Sequence, residues 1–225
     1  MNFNRRHFMG AAVAASASVT AGCLMADPKR VAQPAPMPAP PAPAPTTVAA
    51  APKQADMPPL LQEALASLDK HSRRLARRDK LMLADFSAHS SEKRFHLVDV
   101  AGGRIEESWL VAHGRGSDPG HTGYVQRFSN QHGSNATSRG AYATANPYYG
   151  KYGRSQRLLG LDPENDAALD RAIVLHGANY VTPGMIQAHG RIGRSFGCFA
   201  VEMDQVRVVM DRLGEGALIY AGQVA

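Results

Sequence analysis

Ile173-Val174-Leu175-His176-Gly177 and, after a loop, Gly190-Arg191-Ile192-Gly193-Arg194-Ser195-Phe196-Gly197-Cys198-Phe199-Ala200-Val201 are the stretch from which the rest of the chain is read. A short apolar run ends in His-Gly. A Gly- and Arg-rich loop then ends in Ser-x-Gly-Cys and runs into a second short apolar run. Ile173 to Leu175 reads as a buried strand, which puts the His176 imidazole at a strand end. Cysteine and histidine together supply a nucleophile and its base. Glycine beside the cysteine lets a substrate backbone come close.

Other chemistries for these residues are weaker. His176, His189 and Cys198 are zinc-ligand types, but zinc sites use tighter paired spacings such as Cys-x-x-Cys. No metal or other cofactor is therefore expected. Gly193-Arg194-Ser195-Phe196-Gly197 formally fits Gly-x-Ser-x-Gly, yet that motif needs a strand before and a helix after. Here a loop precedes and a strand-like run follows. His189 is the rival base. It lies between Ala188 and Gly190 in what reads as the flexible part of the loop, so His176 is preferred. A free thiol has a pKa of ~8.5; His⁺, arginines and oriented N–H groups nearby are expected to lower that of Cys198.

Outward from this stretch the chain divides in three. Asn4-Arg5-Arg6-His7-Phe8-Met9 is a twin arginine before a weakly apolar run, Gly10 to Ala21, too short to span a bilayer. Residues 1–27 read as an export signal of the twin-arginine type. Thr20-Ala21-Gly22-Cys23 resembles a lipobox, so membrane anchoring through a lipidated Cys23 and simple cleavage after Ala17 or Ala26 both stay open. Residues 28–59 hold 11 of the 15 prolines and read as a disordered Pro/Ala-rich linker, an extended tether. Residues 60–225 are the folding part, large enough for one domain with a core. Cys198 is its only cysteine, which excludes a structural disulfide within the domain. An exported, cell-envelope or periplasmic location follows.

The formal charge is +6. The densest basic cluster, Arg73-Arg74 and Arg77-Arg78, falls on a predicted helix and reads as a solvated face, so no nucleic-acid partner is implied. Within the domain, leucine spacing predicts a helix over Leu60–Lys80. Strands are predicted at Leu81–Phe86, Arg94–Val100 and Ile105–His113, with Gly102-Gly103 as a hairpin turn. Gly114–Gly140 reads as a long surface connection. Ala141–Ala145 and Gln156–Leu161 are further strands. Asp162-Pro163 should cap a short helix through Arg171. Asp204–Leu213 reads as a helix and Gly216–Ala221 as a closing strand. The class is mainly β with short peripheral helices.

Several motifs together resemble the L,D-transpeptidase catalytic domain family of bacterial cell-wall enzymes. They are Ile173-Val174-Leu175-His176-Gly177-Ala178 and Gly193-Arg194-Ser195-Phe196-Gly197-Cys198, Asp85-Phe86-Ser87 with Ser90-Ser91-Glu92-Lys93-Arg94, and Val111-Ala112-His113-Gly114 with Phe128-Ser129-Asn130. The resemblance covers roughly Leu83 to Tyr220. It implies an L,D-transpeptidase-like β-sandwich and a reaction on peptidoglycan stem peptides, forming cross-links or releasing D-alanine. It also implies Cys198 as nucleophile, His176 as base, and Ser195 and Gly197 as members of the cysteine motif. Arg191, Arg194, Gly177 and Phe196 would touch substrate, and the chain would act as a monomer. Phe196 stands where the family has His or Trp, Phe199 where this branch has Pro, and Ala200 where Arg is frequent. The alternative is a tethered wall-binding protein of the same fold with little catalysis.

Overall fold

The computed structural model describes residues 58–224. The export segment, Cys23 and the tether as far as residue 57 lie outside them. Eight strands form one mixed sheet: β1 (Lys80–Asp85), β2 (Phe95–Asp99), β3 (Arg104–Trp109), β4 (Gly140–Gly150), β5 (Gly153–Gly160), β6 (Val174–Ala178), β7 (Phe199–Glu202) and β8 (Leu218–Gly222). Their order is β3-β2-β1-β8-β4-β5-β6-β7. The β1–β8 and β6–β7 pairs are parallel and the rest antiparallel. Three short helices, α1 (Pro59–Lys70), α2 (Pro183–His189) and α3 (Val206–Leu213), complete the mainly β architecture expected from sequence.

Strand alternation explains the layers. On β1, Met82 and Ala84 join a central core with Leu97, Leu158, Leu175, Phe199 and the apolar face of α3. Leu81 and Leu83 point the other way, under Leu60, Leu61, Ala64 and Leu68 of α1. Both faces of β1 are covered, so Leu81-Met82-Leu83-Ala84 is a continuous apolar run. After β3 the chain crosses to the far edge of the sheet. Ala112 N–H donates to Ala200 O at 2.8 Å and Ser195 N–H to His113 O at 2.9 Å. The first and last strands are thereby tied together, and the sheet curls so that its two halves face each other across the central core.

Several local expectations change. The helix predicted to Lys80 ends at Lys70, because Lys70 Nζ and His71 Nε2 are both fixed on Asp162 Oδ1, at 2.7 and 2.9 Å. Pro59, counted with the linker by composition, is the first residue of that helix. Asp162 opens no α-helix. Its carboxylate holds the end of α1 and the Ala141 N–H, and only a 3₁₀ turn, Asp166–Ala168, follows. Gly114–Gly140 has little regular structure, as expected, but it is not a surface run: Ser117, Asp118, Thr137 and Ser138 are fully buried. The β4–β5 hairpin also runs further than predicted, to Gly150–Gly153. Pro147 is tolerated there because the ladder shifts register between Thr144 and Pro147, past the last residue that β4 pairs with β8.

Candidate active site

All five residues of β6 are buried. In the parallel β6–β7 ladder His176 stands opposite Ala200. Cys198 directly precedes β7, so the cysteine stands at the start of the strand that pairs with the histidine strand. Leu175, Phe199 and Val201 point into the central core.

The His176 ring is held on two sides. Nδ1–H donates to Gly177 O at 2.9 Å, which leaves Nε2 as the acceptor nitrogen. The Tyr152 ring, from the β4–β5 turn, stacks on the imidazole with centroids 4.4 Å apart and planes 22° apart. Burial pushes the imidazole below its ordinary pKa, with the Gly177 carbonyl working the other way.

The Cys198 thiol donates to Ala172 O at 3.6 Å, and among the described residues no hydrogen bond joins it to His176. Burial pushes the thiol pKa up, against the Val174 N–H and the Arg171 guanidinium, which pull it down. The sequence reading expected a net lowering. Desolvation of the thiolate outweighs the two favourable contacts. Thiol and imidazole are therefore each biased toward the neutral form.

The cysteine loop is stapled from within. Ser195 Oγ donates to Cys198 O at 2.7 Å and accepts the Gly197 N–H at 3.1 Å. Its proton is thus committed to the loop, and Ser195, 2% exposed, acts as a brace. Gly197 has φ +118, and a Cβ there would lie 2.7 Å from Ile173 Cδ1 and 2.8 Å from Ala136 O, so only glycine fits. Thr137 Oγ1 accepts the Gly114 N–H and donates to Gly197 O. Beneath lies a buried chain of polar groups. Arg94 Nη2 donates to His113 Nδ1 at 2.7 Å, and His113 Nε2–H faces Asp118 Oδ2 at 3.4 Å. The Arg94 guanidinium sits 5.0 Å from the Phe86 ring centre, and Phe86 meets His113 and Phe128. The scattered motifs around Phe86, Arg94, His113 and Phe128 thus converge under the cysteine loop.

The residues expected to touch substrate divide. Phe196 is 58% exposed, with the Arg115 guanidinium 4.6 Å over its ring. Arg194 spends Nη1 on the Asp118 and Pro119 carbonyls, so it clamps the loop. Arg191 donates to His189 O, while its buried Nε has no partner. Gly177 is a packing requirement: a Cβ there would lie 2.9 Å from Met203 Sδ. It also lines a cavity of about 330 Å³ with Lys151, Tyr152, Asn179, Tyr180 and Met203, next to His176. His189 is exposed in the last turn of α2, which forms where a flexible loop was expected. Among the described residues no group of three His, Cys, Asp or Glu side chains is placed to hold a metal ion.

The profile of the L,D-transpeptidase catalytic domain matches residues 53–221, well over half of the chain. The chain belongs to the L,D-transpeptidase catalytic domain family. The match begins earlier than the sequence motifs did and takes in α1. Solved structures similar to this L,D-transpeptidase domain include an L,D-transpeptidase from Mycobacterium smegmatis, at 15% identity, over 64% of this chain and 58% of that one, TM-score 0.40. A second, from Xylanimonas cellulosilytica, is 18% identical over 70% and 68% of the two chains, TM-score 0.37. A helical cell shape determining protein from Campylobacter jejuni is 12% identical over 75% and 58%, TM-score 0.43. The chain spans less than two thirds of the length of the first of these structures. No curated protein matches.

Three residues of the site escaped the sequence reading. Arg171 and Tyr180 flank β6, and Tyr152 lies in a hairpin turn. The one signal was aromatic: Tyr148, Tyr149 and Tyr152 crowd a polar turn with no apolar partner nearby in sequence.

Proposed function

We propose that this chain catalyses cysteine-dependent acyl transfer on peptidoglycan stem peptides. The observation that carries the reading is the pairing of β6, which carries His176, with β7, which begins directly after Cys198, next to a cavity of about 330 Å³ lined by Tyr152, Gly177 and Tyr180. The thiol gives its proton to His176 Nε2, and the sulfur attacks the carbonyl between the diamino acid and the terminal D-alanine of a tetrapeptide stem. His176 then hands the proton to the departing D-alanine amine. A thioester on Cys198 remains. An amine of a second stem takes the acyl group to form a cross-link, or water takes it and the outcome is carboxypeptidase activity. The Gly197 N–H is occupied by Ser195, so the Cys198 N–H, which has no acceptor among the described residues, is the amide left for the oxyanion. The reaction takes place in the cell envelope, reached through residues 1–27 and the tether.

Purified chain incubated with muropeptides and followed by mass spectrometry tests this. Cys198→Ala should abolish D-alanine release and cross-linking while its circular dichroism stays unchanged. A folded variant that still released D-alanine at the original rate would sink the cysteine mechanism. The wall-binding reading draws on one observation, the thiol resting on Ala172 O rather than on His176. Thiol labelling separates the two: a catalytic Cys198 reacts fast and depends on His176.

A further inference from the structure

We propose that Arg171 is a positioning residue for Cys198: its guanidinium, pinned behind the cysteine loop, is the fixed cation that favours the thiolate, and the carbonyl of its neighbour Ala172 holds the resting thiol. The inference rests on the reading of Cys198 as nucleophile.

Arg171 is anchored at four points. Nη1 donates to Ser129 O at 2.9 Å and Ser138 Oγ at 2.7 Å, and Nη2 to Ser134 Oγ at 3.2 Å and Ala136 O at 2.6 Å. All four acceptors are neutral oxygens, and among the described residues Arg171 forms no ion pair. Arg77, Arg78, Arg104, Arg139, Arg154, Arg207 and Arg212 each face a carboxylate. A guanidinium bonded only to neutral oxygens is fixed in place while its charge stays uncompensated.

That charge is directed at the cysteine. Nη2 lies 3.4 Å from the position a Cβ on Gly197 would take, so the guanidinium is seated against the residue before Cys198. The next residue, Ala172, is left-handed at φ 53, which few non-glycine residues adopt. Its carbonyl is the acceptor for the thiol. Strain of this kind persists where the surrounding structure imposes it, here the anchored Arg171 on one side and buried β6 on the other.

Arg171 and Tyr180 are the ionisable groups whose charges act on the thiol, and His176 is its proposed base. His176 is pushed down and is neutral near pH 7. Tyr180 is pushed up to about 12, first by burial, and is neutral as well. Arg171 is left as the cation that the thiolate faces. When the Cys198 proton passes to His176 Nε2, the Ala172 hydrogen bond is lost and the sulfur charge is met by Arg171.

The test is the pH dependence of Cys198 alkylation by iodoacetamide in the full chain, with the Cys198 peptide followed by mass spectrometry. Arg171→Gln should raise the midpoint by about one pH unit, so that the rate below the midpoint falls about tenfold. Arg171→Lys, which keeps the charge, should stay within about threefold of wild type. Ser134→Asp leaves Arg171 in place but pairs it with a carboxylate, and should also raise the midpoint. A folded Arg171→Gln with the wild-type midpoint overturns the proposal, as do equal shifts in the Lys and Gln variants. If Arg171→Gln does not fold, an unshifted midpoint in Ser134→Asp overturns it. Because alkylation needs no peptidoglycan, a midpoint that follows Arg171 while Cys198→Ala still releases D-alanine would sink the acyl-transfer reading and leave this one standing.

Discussion

In the proposed reaction His176 acts as base only while its Nε2 is unprotonated, and its burial decides over what pH that holds. A lowered pKa keeps the imidazole neutral to below its ordinary value of 6.5, and base activity is lost only as pH falls through the lowered value. The acid limb of D-alanine release, taken as kcat/KM against pH, should therefore lie below 6.5; a limb above it contradicts the assignment. Tyr152 makes a second prediction at this scale. Its ring fixes one face of the imidazole, and misplacing a base forfeits part of the ~10²–10⁴-fold that proton transfer contributes. Tyr152→Phe should keep activity and Tyr152→Ala should lower kcat by about tenfold, in the same muropeptide assay. His176→Ala should remove most turnover, while His189→Ala, exposed on α2, should leave kcat alone.

At the scale of elements, the site is a parallel strand pair with one long connection between its members. The connection holds α2, whose ends carry recognisable signals. Thr182 caps the Met185 N–H, Pro183 follows, and Gly190 closes the helix with φ +71. Those residues were legible in the sequence. They were passed over because seven residues show too little apolar periodicity to stand out from a loop. Thr182→Ala should cost ~1 kcal/mol of stability, read by urea unfolding. Gly197→Ala should cost more, because strain at positive φ adds to a clash with Ile173 Cδ1 and Ala136 O. The helix expected after Asp162 failed for the opposite reason. The local cap pattern was sound, but Lys70, His71 and the Ala141 N–H claimed the carboxylate.

For the whole molecule, the buried Arg94–His113–Asp118 chain links folding to pH. Burial first, then the Arg94 charge, push His113 down to about 3. Burial pushes Arg94 down to about 9, still charged near neutral pH. Burial works to raise Asp118, but the Thr122 and Gly123 amides hold it below its ordinary value. Between about 3 and the unfolded histidine value near 6.5 the unfolded chain binds a proton that folded His113 does not. Stability therefore falls as pH drops through that window. His113→Gln should flatten the dependence between pH 6.5 and 4 in urea titrations; an unchanged slope would assign the acid sensitivity elsewhere. Deleting residues 28–57 should leave the melting temperature unchanged, since their Pro/Ala composition cannot bury a core. Deleting through Leu75 should not, because it strips Leu60, Leu61, Ala64 and Leu68 from the sheet.

The sequence by itself determined the β class, the strand positions along most of the domain, and a strand ending in His-Gly followed by a cysteine motif that runs into a second apolar run. Those features rest on apolar runs, turn glycines and residue types that lie next to one another in the chain. Only the tertiary structure decided how the thiol is held. Arg171, Ala172 and Tyr152 have ordinary neighbours in sequence, and they reach the site because β5 and β6 pair and the 129–138 segment folds over Gly197. Burial likewise turned an expected thiolate into a resting thiol. Desolvation depends on every chain segment packed around an atom, and no stretch of sequence carries that sum.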